Sequence, residues 1–483
     1  MLPPEWPAAG RRGAALTMTC LATACLATAC LAAAGAGGSA PVAAAGDGVR
    51  APAAPTSLPV ADVHYEIHLD VNPAARHVTA TGAVCLVVPP AGLDRVEFYL
   101  HRQLAVTRLE IGGEARAGDP LPVAGSCRRD TTVGEIRYMP EATRVVFTPA
   151  RPLAPGQVVS VDFACVGTIT VWPEWNASVL GADWTEMGLY FPWFPFHPDR
   201  TPFTYDLTVQ APDDVTVFAV GQGGRDGAGW RFRTVAPTTD IVVVAAPDLK
   251  VRVPACGGMA GEGEPGEDVA VSVVHHALQA ATVDTMLTDL ARLHRLCSGW
   301  LGSRPGGLVL VESRRERGGG YARPGALFLA GLVDADYLRN REGYVRYLGH
   351  ELAHTWWRNA GATTWEDWLN ESFAEHTALL LVRELYGQEA YRRRLDRKRE
   401  AAASVAPVWG YERSGEDAET VFYGKGPVLL ADLEARLGSA EYLTFLRRVA
   451  DARVSTTVAL LQLLEESAGS ATRHWFEQRL REG

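Results

Sequence analysis

The sequence predicts an α+β protein of several domains, in which an all-β domain of the saddle or sandwich kind precedes a mainly α-helical one. Between residues 64 and 253, short alternating or β-branched runs are separated by Pro, Gly and Asp, which is typical of an all-β domain. After residue 268, apolar residues recur about every 3.6 positions, which indicates helices. A chain of 483 residues is long enough for about two to four domains, each with its own core.

The first 46 residues predict an export signal. Arg11 and Arg12 precede an uncharged run of Ala, Thr, Leu, Cys and Gly that contains small-residue cleavage sites. The pentapeptide LATAC ends at Cys25 and again at Cys30, and each copy loosely resembles a bacterial lipoprotein cleavage box. We therefore expect a bacterial protein that is exported, either secreted or anchored to the cell envelope. Any membrane attachment would be through this leader.

The composition excludes several classes of protein. A formal net charge of −10 argues against a general nucleic-acid binder, which needs a basic surface. The 47% hydrophobic content excludes a mostly disordered chain. Uncharged runs do not recur along the sequence, so it is not a polytopic membrane protein. The composition does not indicate an oligomeric state.

Composition and periodicity divide the chain into a leader at 1–46, an Ala/Pro linker at 47–59, a β domain at 60–254 and a helical domain at 268–483. A Gly-rich acidic insert, residues 256–267, separates the last two. The clearest predicted strands are at 64–71, 77–88, 143–148, 158–166, 203–210 and 240–245. One strand, 307–312, leads the second domain, and its predicted helices cover 277–300, 337–359, 370–386 and 426–437.

An HExxH motif at residues 350–354 lies inside the helix predicted over 337–359. His350 and His354 are four positions apart, so both imidazoles project from one helix face at a distance that one zinc ion bridges. Glu351 lies beside that face, within reach of a water at the metal. The motif therefore predicts a zinc site in which Glu351 is a general base.

The segment WLNESFAEH, residues 368–376, offers a third ligand. Glu371 follows His354 by seventeen positions, which is enough for a helix end, a turn and a return past the metal. Two His and one Glu with an open fourth position form the catalytic zinc arrangement. Glu375 lies one helical turn further on. It either accepts the second ring N–H of a zinc-bound histidine or faces solvent.

These two motifs resemble those of the aminopeptidase-N and leukotriene-hydrolase family, gluzincin metallopeptidases in which HExxH precedes a WLNEGFA-like segment. The resemblance implies one Zn²⁺ per chain, held by His350, His354 and Glu371, with Glu351 as base. It also implies a saddle-like β domain and a thermolysin-like catalytic domain, in a short form without the family's C-terminal helical domain. The gap to Glu371 is two residues shorter than in the family, and Ser372 replaces a Gly.

The resemblance extends to the segment FYGKG, residues 422–426, in which a Tyr precedes the Lys-Gly that opens a helix. It implies that Tyr423 donates a hydrogen bond to the oxyanion of the transition state. The same Tyr on its own would more often be a buried loop residue. Its position after the two metal-binding helices favours the catalytic role.

The family's GxMEN loop is replaced here by residues 318–325, GGGYARPG. Ala322 stands where the family has the Glu that binds the α-amino group of the substrate. We expect Gly319, Gly320 and Tyr321 to bind the substrate backbone along a strand edge. Glu186, in a segment that resembles the family's substrate-pocket loop, is a candidate replacement for the missing carboxylate.

The sequence thus predicts a zinc-dependent metallopeptidase that acts on peptides and is aminopeptidase-like. Two alternatives stay open because Ala322 replaces the amino-group ligand. One is an endopeptidase or oligopeptidase of the same fold. The other is a catalytically inactive, exported binding protein that keeps the peptidase scaffold. The zinc content of the purified protein separates an enzyme from such a binding protein.

Overall fold

The computed structural model describes residues 63–113, 121–134, 138–172, 179–197, 199, 202–234, 236–254, 270–304, 306–315 and 319–482. The predicted leader (1–46), the linker (47–59) and the acidic insert (256–267) lie outside the described residues. Within the part of the chain that is described, no helix combines the length and apolar content needed to cross a membrane.

The first part of the described chain consists of strands, as predicted, and each of the six predicted runs overlaps one of them. In chain order the strands are β1 (Val63–Asn72), β2 (His77–Val87), β3 (Val96–His101), β4 (Ala105–Gly113), β5 (Leu121–Pro122), β6 (Gly125–Asp130), β7 (Ala142–Pro149), β8 (Val158–Thr168), β9 (Val179–Leu180), β10 (Thr185–Met187), β11 (Thr204–Gln210), β12 (Thr216–Ala219), β13 (Gln222–Asp226), β14 (Gly229–Arg233) and β15 (Val243–Ala246).

These strands form three sheets. The largest has the order β13-β14-β11-β1-β2-β8-β4-β5, in which only the β1–β11 pair is parallel among the described strands. Its alternating pattern places Tyr65, Ile67 and Leu69 of β1 in the core, where Phe98 of the three-stranded sheet β3-β7-β6 joins them. The third sheet, β12-β15-β10-β9, carries Glu186 on β10.

The second part begins with a five-stranded sheet of order β16-β17-β18-β20-β19. Its strands are β16 (Lys250–Arg252), β17 (Val271–His275), β18 (Leu308–Ser313), β19 (Tyr321–Arg323) and β20 (Ala326–Ala330). The pairs β17–β18 and β18–β20 are parallel, and the edge strand β19 runs antiparallel to β20. The sequence pattern predicted one strand leading this part, so the sheet is larger than expected.

Helices make up the rest. They are α1 (Ala280–Leu301), α2 (Asp334–Arg339), α3 (Arg341–Ala353), α4 (Trp368–Ala402), α5 (Gly426–Leu437), α6 (Ser439–Asp451), α7 (Thr457–Ala468) and α8 (Ser470–Arg481), with a 3₁₀ turn at Trp365–Asp367 and a π-helical turn at Thr420–Lys425. A break at Gly387, whose φ is +86°, divides α4. The predicted order, a β-rich part followed by a mainly helical one, is confirmed.

The prediction of one helix over residues 337–359 is wrong. Asn340, with φ −112° and ψ 43°, separates α2 from α3, and α3 ends at Ala353. After that, Thr355 and Trp356 make tight i→i−3 backbone hydrogen bonds, so the chain turns back directly after His354. Asn is a weak helix former, and a buried turn overrides the apolar periodicity that continued past the motif.

The two parts meet through a buried apolar cluster. Its members include Trp184, Phe218 and Val244 from the third sheet of the first part and Val311, Tyr321 and Phe328 from the five-stranded sheet. Beside this cluster the buried Nε of Arg323 donates to Oδ2 of Asp240 over 2.8 Å, again from one part to the other. The edge strand β19 therefore contacts both the rest of its own five-stranded sheet and the β-rich part.

Candidate metal centre

Two packed helices carry the predicted metal ligands. His350 and Glu351 lie in the last turn of α3, His354 follows its final residue, and Glu371 lies in the first turn of α4. A Cβ added at Gly349 would come within 2.8 Å of the side chain of Leu381 on α4. The glycine next to the motif thus lets the two helices approach closely enough for all three side chains to meet.

The three side chains converge on one point. Nε2 of His350 and Nε2 of His354 lie 3.4 and 3.5 Å from Oε2 of Glu371. One ligand atom from each residue lies within 4.8 Å of the others, and all three side chains are buried. This is the spacing that a single ion at the centre of the group would require, and it is the only such group found among the described residues.

The other nitrogen of each imidazole is already engaged. Nδ1 of His350 lies 3.0 Å from Oε2 of Glu375, and Nδ1 of His354 lies 2.9 Å from the carbonyl of Trp357. Both partners are acceptors, so each Nδ1 is assigned as the donor and each Nε2 keeps its lone pair for a metal. Of the two roles left open for Glu375, the structure places it in the buried position beside His350 rather than in solvent.

Glu375 also faces two cations. Arg346 and Lys398 both form ion pairs with its Oε1, the second over 2.8 Å. Burial alone would raise the pKa of Glu375, but these two cations hold it well below its ordinary range. The carboxylate therefore stays charged. Its hydrogen bond with Nδ1 makes Nε2 of His350, which faces the centre of the site, a more basic ligand.

Electrostatics favours a cation in this cluster. Burial would lower the pKa of His350, but its hydrogen bonds to Glu371 and Glu375 raise that pKa to about 10. A positive charge at the point where the two Nε2 atoms face Glu371 would thus stabilise the buried carboxylates. With both Nδ1 atoms satisfied elsewhere, a Zn²⁺ ion bound by two imidazoles and one carboxylate supplies this charge and matches the catalytic zinc donor set.

Glu351 stands beside the ligand cluster in a position suited to proton transfer. Its Oε2 is buried and has no hydrogen-bond partner among the described residues. Burial raises the pKa of Glu351, while the positive charges of His350, His354 and Arg315 act in the opposite direction. The orphaned oxygen marks a place where a polar ligand such as water is needed.

The edge strand lies against this carboxylate. A Cβ added at Gly320 would lie 3.0 Å from Oε1 of Glu351 and 2.8 Å from both the Tyr347 hydroxyl and the Phe328 carbonyl. Glycine is therefore required for the backbone before β19 to approach the site. Of the predicted substrate-binding residues, Gly320 lies at the candidate site itself, and Gly319, with φ +65°, turns the chain into it.

The ring of Tyr423 lies next to that of His350. The two ring centroids are 5.6 Å apart, with the planes at 28°. Burial and the nearby Glu371 carboxylate raise the pKa of Tyr423 well above its ordinary value, so its phenol keeps its proton and can donate. The carbonyl of Phe422 accepts a 2.6 Å hydrogen bond from Ser372, which fixes the π-helical turn to α4. The Ser that departs from the family pattern thus positions this turn.

Glu186 is buried between the two parts of the chain. Its carboxylate accepts hydrogen bonds from Ser313 (2.8 Å), Tyr321 (2.7 Å) and the indole of Trp184 (3.2 Å). Burial raises the pKa of this carboxylate. The structure therefore joins two predicted substrate-binding residues, Glu186 and Tyr321, directly to each other.

One buried ion pair and one buried arginine near the site were not expected from the sequence. Arg413 forms an ion pair with Asp367, to which Asn370 donates over 2.9 Å. Arg315 lies close enough to influence both Glu186 and Glu351 electrostatically. The ion pair has a weak local signal, since Asp367 directly precedes the WLNE segment and Asn370 lies within it. Arg413 and Arg315 lie far from it in sequence, and neither carries a motif.

The fold is that of zinc metallopeptidases, and the three converging side chains are a donor set that suits a zinc ion. Residues 329–477 match the family model described as "Peptidase family M1 domain". This part of the chain is thus similar to the peptidase family M1 domain, and the resemblance to the aminopeptidase-N and leukotriene-hydrolase family is confirmed.

Solved structures show the same fold. The M1 zinc metallopeptidase from Deinococcus radiodurans is 20% identical, with a TM-score of 0.65 over 86% of this chain and 93% of its own. A variant of it bound to a Tyr-Ser-Ala substrate is 19% identical, with the same TM-score and coverage. Native yeast LTA4 hydrolase is 16% identical, with a TM-score of 0.63 over 87% of this chain and 68% of its own. No curated protein sequence matches the chain.

Proposed function

We propose that this protein is a zinc-dependent peptidase that hydrolyses peptide bonds, with aminopeptidase-like action. The observation that carries the proposal is the convergence of both Nε2 atoms on Glu371, next to a buried Glu351 oxygen that lacks a partner. His350, His354 and Glu371 would hold the ion. The Deinococcus radiodurans structure with a bound Tyr-Ser-Ala substrate supports a peptide as the kind of substrate for this fold.

Glu351 is the proposed general base. A bound zinc ion supplies Lewis-acid polarisation of the scissile carbonyl and lowers the pKa of an attacking water to about 7. Glu351 accepts the proton of that water and delivers it to the leaving amine. Its buried position suits this role, because burial raises the carboxylate pKa and so makes it a better proton acceptor near neutral pH.

Tyr423 is the proposed oxyanion donor. Its phenol stays protonated in this environment, and its ring lies beside that of His350. A fixed donor aimed at the charge that develops on the carbonyl oxygen stabilises the transition state more than the ground state. The bond from Ser372 to the Phe422 carbonyl keeps this donor in place.

The backbone next to Gly320 is the proposed seat of the substrate main chain. Because Gly320 lies against Glu351, a peptide placed along β19 would have its scissile bond near the base. Ala322 lacks the carboxylate of the GxMEN loop, and Glu186 is the carboxylate that hydrogen-bonds to the same strand through Tyr321. We propose that this Glu186–Tyr321 pair takes over the binding of the substrate amino group.

Free and N-acetylated peptides of the same sequence distinguish the two peptidase modes. The purified protein is incubated with both, and cleavage positions are identified by mass spectrometry. Stepwise release of N-terminal residues from the free peptides alone supports aminopeptidase action. Efficient cleavage of the blocked peptides would exclude a strict aminopeptidase and favour the endopeptidase alternative.

Glu351→Gln tests the catalytic assignment. We expect the variant to keep about one zinc per chain and to lose at least about 100-fold in kcat, since a general base contributes about 10² to 10⁴. Zinc is measured by atomic absorption and turnover with a fluorogenic peptide. Glu384→Gln, on the exposed face of α4, is the matched control. Unchanged turnover in Glu351→Gln would refute the assignment, and a wild-type protein without zinc would favour the inactive binding protein.

Export is a separate proposal, supported by the basic and small-residue pattern of residues 1–46. A fusion of these residues to a reporter that is active only outside the cytoplasm tests it in a bacterial host. Reporter activity is expected, and a strictly cytoplasmic, inactive fusion would contradict the proposal.

A further inference from the structure

Arg315 is a buried cation that forms no ion pair with any of the residues that the structure describes. It follows β18 and is only 8% exposed. Its Nε and Nη1 atoms are buried and have no hydrogen-bond partner among the described residues. Arg323, the other guanidinium near the same rings, forms an ion pair with Asp240. Arg315 therefore differs from its neighbour in lacking a carboxylate in contact.

Two aromatic rings fix the position of Arg315. Its guanidinium carbon lies 5.1 Å from the ring centroid of Tyr321 and 5.8 Å from that of Tyr190. Tyr321 directly follows Gly320, which lies against Glu351. The guanidinium thus stands over the strand proposed to bind the substrate backbone, within electrostatic range of the proposed general base.

Neither carboxylate near Arg315 forms an ion pair with it among the described residues. Glu186 accepts hydrogen bonds from Ser313, Tyr321 and Trp184, and no hydrogen bond joins Glu351 to Arg315. A buried charge with unused donors is costly, and native structures normally supply a partner. The planar fork of a guanidinium matches the two oxygens of a carboxylate better than any other common ligand group.

We infer that Arg315 binds a carboxylate of the peptide substrate. The inference rests on the proposed peptidase function and adds to it the charge of the preferred substrate. Where the family places a Glu for an amino group, this chain has Ala322 and a nearby guanidinium. The carboxylate comes either from an acidic side chain next to the scissile bond or from the free C-terminus of a short peptide.

Two pairs of isosteric peptides test the inference on the zinc-loaded wild-type protein. The first pair carries Glu or Gln at the residue before the cleaved bond, and the second ends in a free acid or an amide. For one of the pairs we expect a kcat/KM about 10- to 100-fold higher for the carboxylate member, mainly through KM. The pair that shows this difference tells whether the bound carboxylate is an acidic side chain or the free C-terminus. Equal values in both pairs would overturn the inference while leaving the peptidase function intact, whereas no hydrolysis of any peptide would refute the function itself.

Variants assign the preference to this residue. In Arg315→Gln the kcat/KM for the carboxylate peptide divided by that for its neutral partner should fall to about 1. Arg315→Lys should retain part of the preference for the carboxylate because the positive charge remains. Arg314→Gln, on the exposed neighbour, should leave the ratio unchanged. A ratio that survives in Arg315→Gln would overturn the assignment.

Competition in the wild-type protein covers the case in which Arg315→Gln does not fold. N-acetylglutamate and its neutral diamide N-acetylglutaminamide, which carries no carboxylate, are compared as inhibitors of the hydrolysis of a neutral peptide amide. The acid should inhibit competitively at a concentration about tenfold or more below that of the amide. Equal inhibition by the two compounds would overturn the inference.

Discussion

Glu375 links a predicted zinc ligand to two buried cations, so its charge should govern metal affinity. Oε2 faces Nδ1 of His350 over 3.0 Å, while Oε1 binds Lys398 and Arg346. Gln has nearly the same shape and can still accept the Nδ1 hydrogen bond. The variant Glu375→Gln therefore removes one negative charge with little change in packing.

The loss can be bounded from these distances. A unit negative charge 3.0 Å from a unit positive charge is worth about 5 kcal/mol at an effective dielectric constant of about 20. Only part of the charge of a bound dication resides on the imidazole of His350, and Gln keeps a hydrogen bond. We therefore expect zinc affinity to fall about 10- to 100-fold, or about 1.4 to 2.8 kcal/mol, as for other partners of metal-bound histidines.

The variant should also be less stable without metal. Arg346 and Lys398 would lose their shared carboxylate, and breaking a buried ion pair by removing one partner costs about 3 to 5 kcal/mol. Lys398 is the less buried of the two cations and can turn towards water. The cost in free energy of unfolding should therefore lie towards the lower end of that range.

Zinc affinity is measured by competition with a chromophoric chelator, and stability by thermal unfolding of the metal-free protein. Glu389→Gln is the control, because Glu389 lies on the same helix with its side chain 75% exposed. Wild-type zinc affinity in a folded Glu375→Gln protein would refute the reasoning. It would mean that the charge beside His350 has no part in holding the metal.

Two further variants test the proposed substrate side and oxyanion donor. Gly320→Ala places a Cβ 3.0 Å from Oε1 of Glu351 and 2.8 Å from the Phe328 carbonyl, so kcat/KM should fall at least about tenfold at unchanged zinc content. Gly299→Ala, which meets no atom within 4 Å, is its control, and wild-type kinetics in Gly320→Ala would contradict the predicted approach of the strand. Tyr423→Phe should lower kcat about 10²- to 10³-fold with little change in KM, measured with the same fluorogenic peptide. A loss confined to KM would argue for a binding role instead.

The meeting of the three candidate metal ligands could be predicted because their placement depends on local geometry. His350 and His354 share one turn of helix, and Glu371 opens the next helix, so spacing along the chain nearly determines their meeting. The β-rich part was predictable for a similar reason, since alternation of period two records which face of a strand is buried.

The sheet that carries the substrate side was harder to predict. Strand β18 was predicted from its apolar run at 307–312, whereas β20 is wholly buried and so lacks the alternation that identifies strands with one exposed face. The edge strand β19 has only three residues and follows a Gly-rich segment that resembles a loop. The sequence did not predict the break at Asn340. Apolar periodicity shows only that residues share a buried helix face, and it continues across a short interruption of the helix.

Both departures from the family around Glu371, the shorter gap after His354 and Ser372 in place of Gly, have an explanation in the structure. The connection between α3 and α4 is braced by Asn370, whose side chain bonds both the N–H (3.1 Å) and the carbonyl (3.0 Å) of Ala360. A shorter connection held in this way still delivers Glu371 to the two histidines. Ser372, where the family has Gly, donates to the Phe422 carbonyl and so ties the Tyr423 turn to the same helix.

The candidate metal ligands and the residues proposed to set the preferred substrate charge depend on different contacts in this chain. Every group that faces the predicted metal lies on α3, on α4 or on the turn bonded to α4, so these residues move together if the sheet changes. Arg315, Tyr321 and Glu186 depend instead on contact between the five-stranded sheet and the β-rich part. Substitution of the family's amino-group ligand by Ala322 therefore leaves the candidate metal ligands unchanged, while Arg315 adds a positive charge beside the proposed substrate strand. Substrate selectivity in this chain should accordingly respond to changes at the contact between the two parts, and zinc affinity should not.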